Sequence, residues 1–418
     1  MRISQSALPG RLLAYGTATL LLAGGGLLGT ASSASAATPT CFGKKATIVG
    51  NGGNNRIYGT PGNDVIYAGP GNDTIFGSGG DDLICGADGA DTIHGGSGND
   101  HIDGGRGEIY TDIHGKRWIK GDVLFDDGGN DFYSPVLDNR YPAYVPDRIS
   151  FAYANNGVNV DSATHTATGN GTDHWIGDAA EIVGSRYADV MNGGPQNDIF
   201  QGGSGNDKIN GNGGADLIRD SYPGSGTHDA DSIQGGPGND LLYTYGGADT
   251  LDGGDGNDTL YDFGHDAGTM LGGAGDDNIS DELAINRAQT VDGGSGTDTV
   301  LLHPNFSSDL RPRIVVNLAS GQANFETSAH TGFTVRGADL LKVYGLPLTF
   351  TGDLGDNVVS TDGMGALLAS GGIGNDTFYG TRLNDHFDGG LGFDTVASTG
   401  GGTDSCVSIE RVGSGTCH

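Results

Sequence analysis

The stretch GNGGNNRIY GTPGNDVIY AGPGNDTIF GSGGDDLIC GADGADTIH GGSGNDHID runs from Gly50 to Asp103 as six nine-residue units, with no residue inserted or deleted between them. The fourth residue of each unit is glycine and the eighth is isoleucine; the sixth is aspartate in every unit except the first, which has Asn55. A single unit of this length cannot bury its isoleucine alone, so successive units must stack. The stretch therefore predicts a solenoid.

The glycines and the aspartate of each unit suit a tight, metal-binding turn. Glycine reaches positive φ without steric cost, so a unit that opens with glycines can turn sharply and direct its carbonyl oxygens inward. Those carbonyls, together with a short carboxylate, are the type of ligand that Ca²⁺ requires, about six to eight oxygens at roughly 2.3–2.6 Å. The isoleucine two residues after the aspartate is predicted to lie in a very short strand, with its side chain inward.

The pattern resembles the hemolysin-type, or repeats-in-toxin (RTX), calcium-binding nonapeptide G-G-x-G-x-D-x-U-x. The resemblance implies an all-β fold, a right-handed parallel β-roll or β-solenoid built from glycine- and aspartate-rich nonapeptides, with strand-rich connecting insertions. It also implies that two units form one coil and that Ca²⁺ lies between the turns of successive coils. On this basis we expect Asp64 to share an ion with Asp82, and Asp73 with Asp91.

The resemblance extends to looser units further along the chain, and it implies metal ligands in all of them. The implied aspartate ligands are Asp64, Asp73, Asp82, Asp91, Asp100, Asp198, Asp207, Asp216, Asp231, Asp240, Asp249, Asp258, Asp277, Asp298, Asp376, Asp385 and Asp394. In the first array, the position-four glycines Gly62, Gly71, Gly80, Gly89 and Gly98 are implied as further ligands through their backbone. No catalytic residue and no organic cofactor is predicted; Ca²⁺ is the expected cofactor.

Breaks in the repeat divide the chain into six predicted segments. They are a signal peptide (1–36), a first RTX array (37–105), an insertion or connector (106–183), a second array (184–301), a connector (302–351), and a third array with a C-terminal cap (352–418). Both connectors contain alternating apolar residues, which indicate strands. We therefore expect a flattened β-solenoid throughout instead of independent globular domains.

Composition and charge narrow the possible partners. The chain has 80 glycines in 418 residues and a formal net charge of −31. Nucleic acid is excluded as an expected partner because both molecules would be polyanions. Of the 52 acidic residues only Glu108, Glu181, Glu282, Glu326 and Glu410 are glutamate, and the preference for the shorter aspartate favours carboxylates held close to the backbone.

The N-terminal segment and the cysteines predict export. Arg2 and Arg11 precede an apolar stretch and the cleavage signal Ala34-Ser35-Ala36, whereas no later stretch could span a bilayer. A secreted, extracellular protein without stable membrane insertion is expected, although a membrane anchor is the competing interpretation. The four cysteines predict two disulfides, and pairing within each end of the chain (Cys41 with Cys85, Cys406 with Cys417) is the simplest of three connectivities, with zinc binding as the alternative.

The predicted function is a secreted calcium-binding β-roll protein that folds on binding Ca²⁺ outside the cell and has a structural or adhesive role. The sequence contains neither H-E-x-x-H nor G-x-S-x-G, so no enzyme is predicted. Its expected partners are calcium ions and an extracellular polysaccharide or cell-surface component. The alternative is an extracellular β-helix that binds or modifies carbohydrate, with its site in 106–183 around residues such as Asp112, His165 and Trp175.

Overall fold

The computed structural model describes residues 37–418, except 112–116, 136–143, 146, 178–180, 222–227, 265, 283–288, 304–313, 326–332, 345 and 363–364. The predicted signal peptide, 1–36, lies outside the described residues. Residues Pro39–His418 form one compact unit. Its architecture is a parallel β-solenoid of about 16 turns, which confirms the predicted fold class. No α-helix occurs among the described residues, and the only helical element there is a 3₁₀ turn, Leu318–Ser320.

The strands are short, mostly three to six residues, and follow one another closely along the chain. Through the first array they are β1 (Thr40–Cys41), β2 (Lys44–Lys45), β3 (Ile48–Val49), β4 (Arg56–Tyr58), β5 (Val65–Tyr67), β6 (Thr74–Phe76), β7 (Leu83–Asp88), β8 (Thr92–His94) and β9 (His101–Arg106). The next segment contains β10 (Glu108–Thr111), β11 (Arg117–Lys120), β12 (Val123–Phe125), β13 (Phe132–Ser134), β14 (Tyr144–Val145), β15 (Arg148–Ser150), β16 (Asn159–Asp161), β17 (Thr166–Thr168), β18 (Thr172–Trp175) and β19 (Glu181–Val183).

The second half of the solenoid continues in the same manner. Its second array contains β20 (Val190–Asn192), β21 (Ile199–Gln201), β22 (Lys208–Asn210), β23 (Leu217–Arg219), β24 (Ser232–Pro237), β25 (Leu241–Thr244), β26 (Thr250–Asp255), β27 (Thr259–Asp262), β28 (Thr269–Ala274), β29 (Asn278–Asp281), β30 (Thr290–Ser295) and β31 (Thr299–Leu302). The remaining strands are β32 (Ile314–Asn317), β33 (Gln322–Phe325), β34 (Phe333–Arg336), β35 (Leu340–Val343), β36 (Leu348–Thr351), β37 (Val358–Thr361), β38 (Leu367–Ile373), β39 (Thr377–Tyr379), β40 (His386–Leu391), β41 (Thr395–Ser398), β42 (Ser405–Val407) and β43 (Arg411–Ser414).

Two long sheets form the walls of the solenoid. The front sheet runs β4-β6-β8-β12-β15-β19-β21-β23-β25-β27-β29-β31-β35-β37-β39-β41-β43, with all of its neighbours parallel. The back sheet begins at β3-β5-β7-β9-β13 and ends at β36-β38-β40-β42. Because successive units alternate between the sheets, each coil contributes one strand to each wall in the regular arrays.

The strand register confirms that two units form one coil. In the front sheet Ile57 pairs with Ile75, which pairs with Ile93, and each step is eighteen residues. In the back sheet Ile66 pairs with Ile84 at the same spacing. Alternate units therefore lie on the same side and consecutive units on opposite sides, as the sequence predicted.

The core between the walls is a column of position-eight side chains. Ile66, Ile75, Ile84, Ile93 and Ile102 are all fully buried. Larger residues take the same position elsewhere, and Tyr133, Phe200, Phe378 and Phe387 are also fully buried. Each unit therefore adds about one large apolar side chain, so the core is thin for a chain of this length.

Both predicted connectors contribute strands to the same two walls. In the back sheet, β13 is followed by β18, β17 and β16, an antiparallel meander that reaches β20. A second meander, β34, β33 and β32, joins β30 to β36. The strands expected in the connectors are therefore present, and they extend the solenoid. A separate three-stranded sheet, β10-β11-β14, lies in the first connector.

Both disulfides expected within the chain ends are present. Cys41 is bonded to Cys85 with a Cα–Cα distance of 5.7 Å, which joins the N-terminal hairpin β1-β2 to β7. Cys406 is bonded to Cys417 with a Cα–Cα distance of 5.5 Å, at the last strands of the solenoid. In the part of the chain that is described, no helix has the length and apolar character needed to cross a membrane.

Candidate metal centres

The position-six carboxylates form a ladder of hydrogen bonds along each side of the solenoid. The backbone N–H of Asp64 donates to Oδ1 of Asp82 at 2.8 Å, and the N–H of Asp82 donates to Oδ1 of Asp100 at 2.8 Å. On the other side, the N–H of Asp73 donates to Oδ1 of Asp91 at 2.7 Å. Each carboxylate is thus held by the preceding coil, and the pairs that we expected to share ions are in direct contact.

The second oxygen of most of these carboxylates is buried and has no hydrogen-bond partner. Burial of a polar atom without a partner is costly, so such atoms call for an explanation. A bound cation explains a row of them. Among the predicted ligands, this Oδ2 is unpartnered at Asp73, Asp82, Asp91, Asp100, Asp207, Asp216, Asp240, Asp249, Asp258, Asp277, Asp298, Asp376 and Asp394.

The unpartnered oxygens face a space that glycine leaves open. A methyl group placed on Gly86 would lie 2.2 Å from Oδ2 of Asp91 and 2.5 Å from the carbonyl oxygen of Gly104 in the next coil. On the opposite side, a methyl group on Gly77 would meet Oδ2 of Asp82 at 2.5 Å. A carboxylate and a carbonyl oxygen therefore converge on one point beside each position-one glycine. Oxygens that converge in this way fit a hard cation such as Ca²⁺.

Burial raises the pKa of several of these carboxyl groups, among them Asp82, Asp91 and Asp207, well above the ordinary value for aspartate. Desolvation is the largest cause and raises the pKa of Asp82 and of Asp91 to about 7, against the opposing effect of the backbone hydrogen bond that each accepts. The same causes raise the pKa of Asp207 to about 8. A cation would supply the positive charge that these sites lack and would favour the ionised form.

The position-four glycines are required by the stacking of the coils. Gly71, Gly80, Gly89 and Gly98 have φ between +98° and +145°. A methyl group on Gly89 would lie 1.9 Å from the carbonyl oxygen of Gly71, one coil earlier. Gly62 is the exception because it is not in the left-handed region and has open space beside it. Their role as ligands remains a prediction.

In two units, a threonine that follows the position-one glycine contacts the carboxylate where a cation would bind. Oδ2 of Asp64 accepts hydrogen bonds from the N–H of Thr60 at 2.6 Å and from its hydroxyl at 2.9 Å. Thr381 donates its N–H to Oδ2 of Asp385 at 2.6 Å and its hydroxyl to Oδ1 at 2.9 Å. Of the predicted aspartates, Asp198 is half-buried and the others, including Asp231, are buried. Asp64 and Asp385 therefore belong to sites that the protein itself partly fills.

Sequence reasoning missed several aspartates that continue the ladders. Asp91 donates its N–H to Oδ1 of Asp122 at 2.7 Å, and Asp122 donates to Asp147 at 2.9 Å. On the other side Asp100 donates to Asp131 at 2.8 Å. Most of the missed residues precede a buried apolar residue by two positions, and this weaker signal could have identified them. The missed members are Asp122, Asp131, Asp147, Asp173 and Asp189, and Asp339 and Asp404 accept ladder hydrogen bonds as well.

Of the residues named for a carbohydrate site, the structure brings His165 and Trp175 together. Trp175 is only 5 % exposed and packs against the core, and with His165 it lines one small cavity. His165 lies beside it, with ring centroids 5.9 Å apart. Asp112 lies outside the described residues.

Comparison with known families agrees with the geometry. The model of the RTX calcium-binding nonapeptide repeat (four copies) matches residues 49–84, 85–108, 183–218, 225–260 and 369–404. No curated protein matches the chain. The matched ranges contain position-six carboxylates of both ladders. The chain therefore carries several copies of the RTX calcium-binding nonapeptide repeat, and Ca²⁺ is the ion that these repeats bind.

Proposed function

We propose that the position-six aspartates and the position-one carbonyls of successive coils are the residues that hold Ca²⁺. The observation that carries this proposal is the buried, unpartnered Oδ2 that faces a carbonyl oxygen of the next coil, as at Asp91 and Gly104. In the absence of the ion, these buried carboxylates destabilise the coil at neutral pH. When the ion binds, it joins two adjacent turns and neutralises their charge.

The test compares two aspartates of one repeat unit, GADGADTIH, by calcium titration calorimetry. Asp91→Asn replaces the buried ligand with a neutral group of the same shape and should lower the number of bound ions. Asp88→Asn removes the same charge from an exposed side chain, which pairs with Arg106 at 2.9 Å, and should leave that number unchanged. Equal stoichiometry in the wild type and the Asp91 variant would contradict the ligand assignment.

We further propose that the protein is secreted and folds outside the cell. Two observations support this. Disulfides such as Cys41–Cys85 persist in oxidising compartments, and an array of weak calcium sites fills only where calcium is abundant. On this proposal residues 1–36 direct export, the arrays 37–105, 184–301 and 352–418 fold around calcium, and 106–183 and 302–351 link them. Detection of the chain in the culture medium tests it; a chain retained in the cytoplasm with reduced cysteines would contradict it.

The role proposed for the folded protein is structural or adhesive, not enzymatic. The position-six aspartates are committed to the ladders between coils, which suits a rigid calcium-dependent scaffold. Binding of the chain to extracellular polysaccharide and to whole cells should be measured with calcium and with EGTA. Binding that requires calcium supports an adhesive role, whereas cleavage of a polysaccharide would favour the carbohydrate-modifying alternative.

A further inference from the structure

A third buried carboxylate distinguishes one turn of the first connector from the RTX units. The turn Asp126–Asp131 joins β12 to β13, and its sequence DDGGND places Asp126 where the six regular units have glycine or alanine. Asp131 takes the position-six place, because Tyr133 follows it by two residues and is fully buried. The matched RTX ranges end at residue 108 and resume at residue 183, so this turn lies outside them.

Three carboxylates meet at this turn. Asp126, Asp131 and Asp173 each place one carboxylate oxygen within 4.8 Å of the other two. Asp126 and Asp173 have no exposed surface, and Asp131 is 2 % exposed. Asp173 belongs to β18, the strand that follows β13 in the back sheet. The group thus connects the connector's first coil to its antiparallel meander.

Hydrogen bonds satisfy all but one of the six oxygens. Asp126 accepts from the N–H of Gly128 at 3.1 Å and from Nδ2 of Asn170 at 2.9 Å. Asp131 accepts from the N–H of Asp100 at 2.8 Å and from the hydroxyl of Tyr133 at 3.2 Å. Oδ1 of Asp173 accepts from the N–H of Asp131 at 3.0 Å, whereas its Oδ2 is buried without a partner. An oxygen in this position requires a ligand.

Nothing described around the group balances its charge. Among the described residues, no lysine, arginine or histidine forms an ion pair with Asp126, Asp131 or Asp173. Desolvation and the neighbouring carboxylates raise the pKa of Asp131 to about 8 and that of Asp173 to about 7. Three ionised carboxylates cannot share a buried site without a cation.

We propose that Asp126, Asp131 and Asp173 form a three-carboxylate calcium site that binds more tightly than the sites of the regular repeats. In a regular unit the position-one residue contributes no carboxylate, whereas here Asp126 adds one. Calcium affinity rises with the charge of the ligand set and with its rigidity, and these side chains are fixed by the backbone of three coils. The site would fill at the lowest calcium concentration and fix the meander against the first array.

The primary experiment is calorimetric titration of the full chain with Ca²⁺ after EGTA treatment. Asp126→Gly restores the residue typical of the repeats, and Asp126→Asn keeps the shape of the side chain. Both should remove one ion from the tightest class of site or weaken its binding at least about tenfold. The matched control is Asp127→Asn, which removes a charge from the same turn but from a side chain that pairs with His94 at 3.0 Å, and should bind as the wild type does. Unchanged number and affinity in both Asp126 variants would overturn the proposal.

A luminescence measurement keeps the test independent of any folding defect in these variants. The hydroxyl of Tyr133 touches Asp131, so the ring would sensitise Tb³⁺ bound at the site. Trp175 pairs with Tyr133 across β13 and β18 and is a second sensitiser, so the variant combines Tyr133→Phe with Trp175→Phe. With one equivalent of Tb³⁺, this double variant should lose more than about half of the sensitised emission, because the tightest site fills first. Emission equal to that of the wild type would place the ion elsewhere and refute the site. The calcium sites of the regular repeats are tested separately by the stoichiometry of Asp91→Asn. The two proposals can therefore be refuted independently of each other.

Discussion

Removal of calcium from the whole chain is expected to abolish most of its β-structure at neutral pH. EGTA would leave a row of buried carboxylates, including Asp82, Asp91 and Asp207, without a counter-charge. For a site with Kd of about 10⁻⁴ M in about 1 mM calcium, binding contributes about 1.4 kcal/mol. About ten such sites contribute about 14 kcal/mol, which equals the whole stability of an ordinary domain, about 5–15 kcal/mol. The thin core of one inward side chain per unit cannot replace this contribution.

Far-ultraviolet circular dichroism during stepwise addition of EGTA, followed by refilling with CaCl₂, measures this dependence. The β-sheet signal should be lost and then recovered in full, over a narrow range of free calcium because adjacent coils share their ladders. MgCl₂ at the same concentration is the control and should not restore the signal, because Mg²⁺ gives up its water reluctantly and demands regular octahedral geometry. A β-sheet signal that persists unchanged in EGTA would refute the reasoning and would show that the core and disulfides hold the fold.

Three further predictions use matched changes within the first array or a change of pH. Asp82→Asn should lower the number of bound calcium ions, which calorimetry measures. Ile84→Ala, at a fully buried core position, should lower the free energy of unfolding by about 2–5 kcal/mol, measured by urea titration, without changing the number of bound ions. Gly89→Ala should destabilise the calcium-bound protein by more than about 2 kcal/mol, because φ is +145° and the methyl group would lie 1.9 Å from a carbonyl oxygen. Gly62→Ala, at the same repeat position, should change stability by less than about 1 kcal/mol. Thermal unfolding in calcium compares the two variants, and equal effects would contradict the stacking argument. Since burial raises the pKa of Asp82 to about 7, the calcium-free folded state keeps a proton that the unfolded chain releases near its ordinary pKa of about 4. The stability of the calcium-free protein should therefore be greatest near pH 4 and fall as the pH rises to about 8, so circular dichroism in EGTA should show more β-structure at pH 5 than at pH 8; the opposite order would contradict the burial of these groups.

Much of the fold could be predicted because the repeat encodes both its period and its inward residue. The eighteen-residue register of Ile57 and Ile75 follows from two units per coil, and the buried carboxylates follow from the fixed sixth position. The ladder through Asp122 and Asp147 could not be predicted with the same ease, since the glycines that mark a unit are absent there. The coils still stack when the aspartate and the apolar residue keep their spacing, so the ladder continues through coils that lack the glycine motif.

The antiparallel meanders were beyond prediction for a different reason. Alternating apolar residues indicated strands in both connectors, 106–183 and 302–351, but alternation does not specify which strand each of them pairs with. β16 pairs with β20, while β18 pairs with β13, so one coil contributes three strands to the back sheet. The pairing of these strands depends on contacts between segments that are distant in sequence, and a local sequence pattern does not reveal those contacts.

The hydrogen bonds between successive aspartates give the solenoid a direction, as in a filament with two unlike ends. In the regular part of each ladder, the N–H of an aspartate donates to a carboxylate of the coil that follows, so an N-terminal end exposes a carboxylate that water can solvate. A C-terminal end instead exposes an N–H that needs an acceptor. Glu410 supplies it, accepting from the N–H of Asp394 at 2.6 Å. A chain shortened from its C-terminus would thus present an open, adhesive edge to the next molecule, whereas one shortened from its N-terminus would present carboxylates that water solvates.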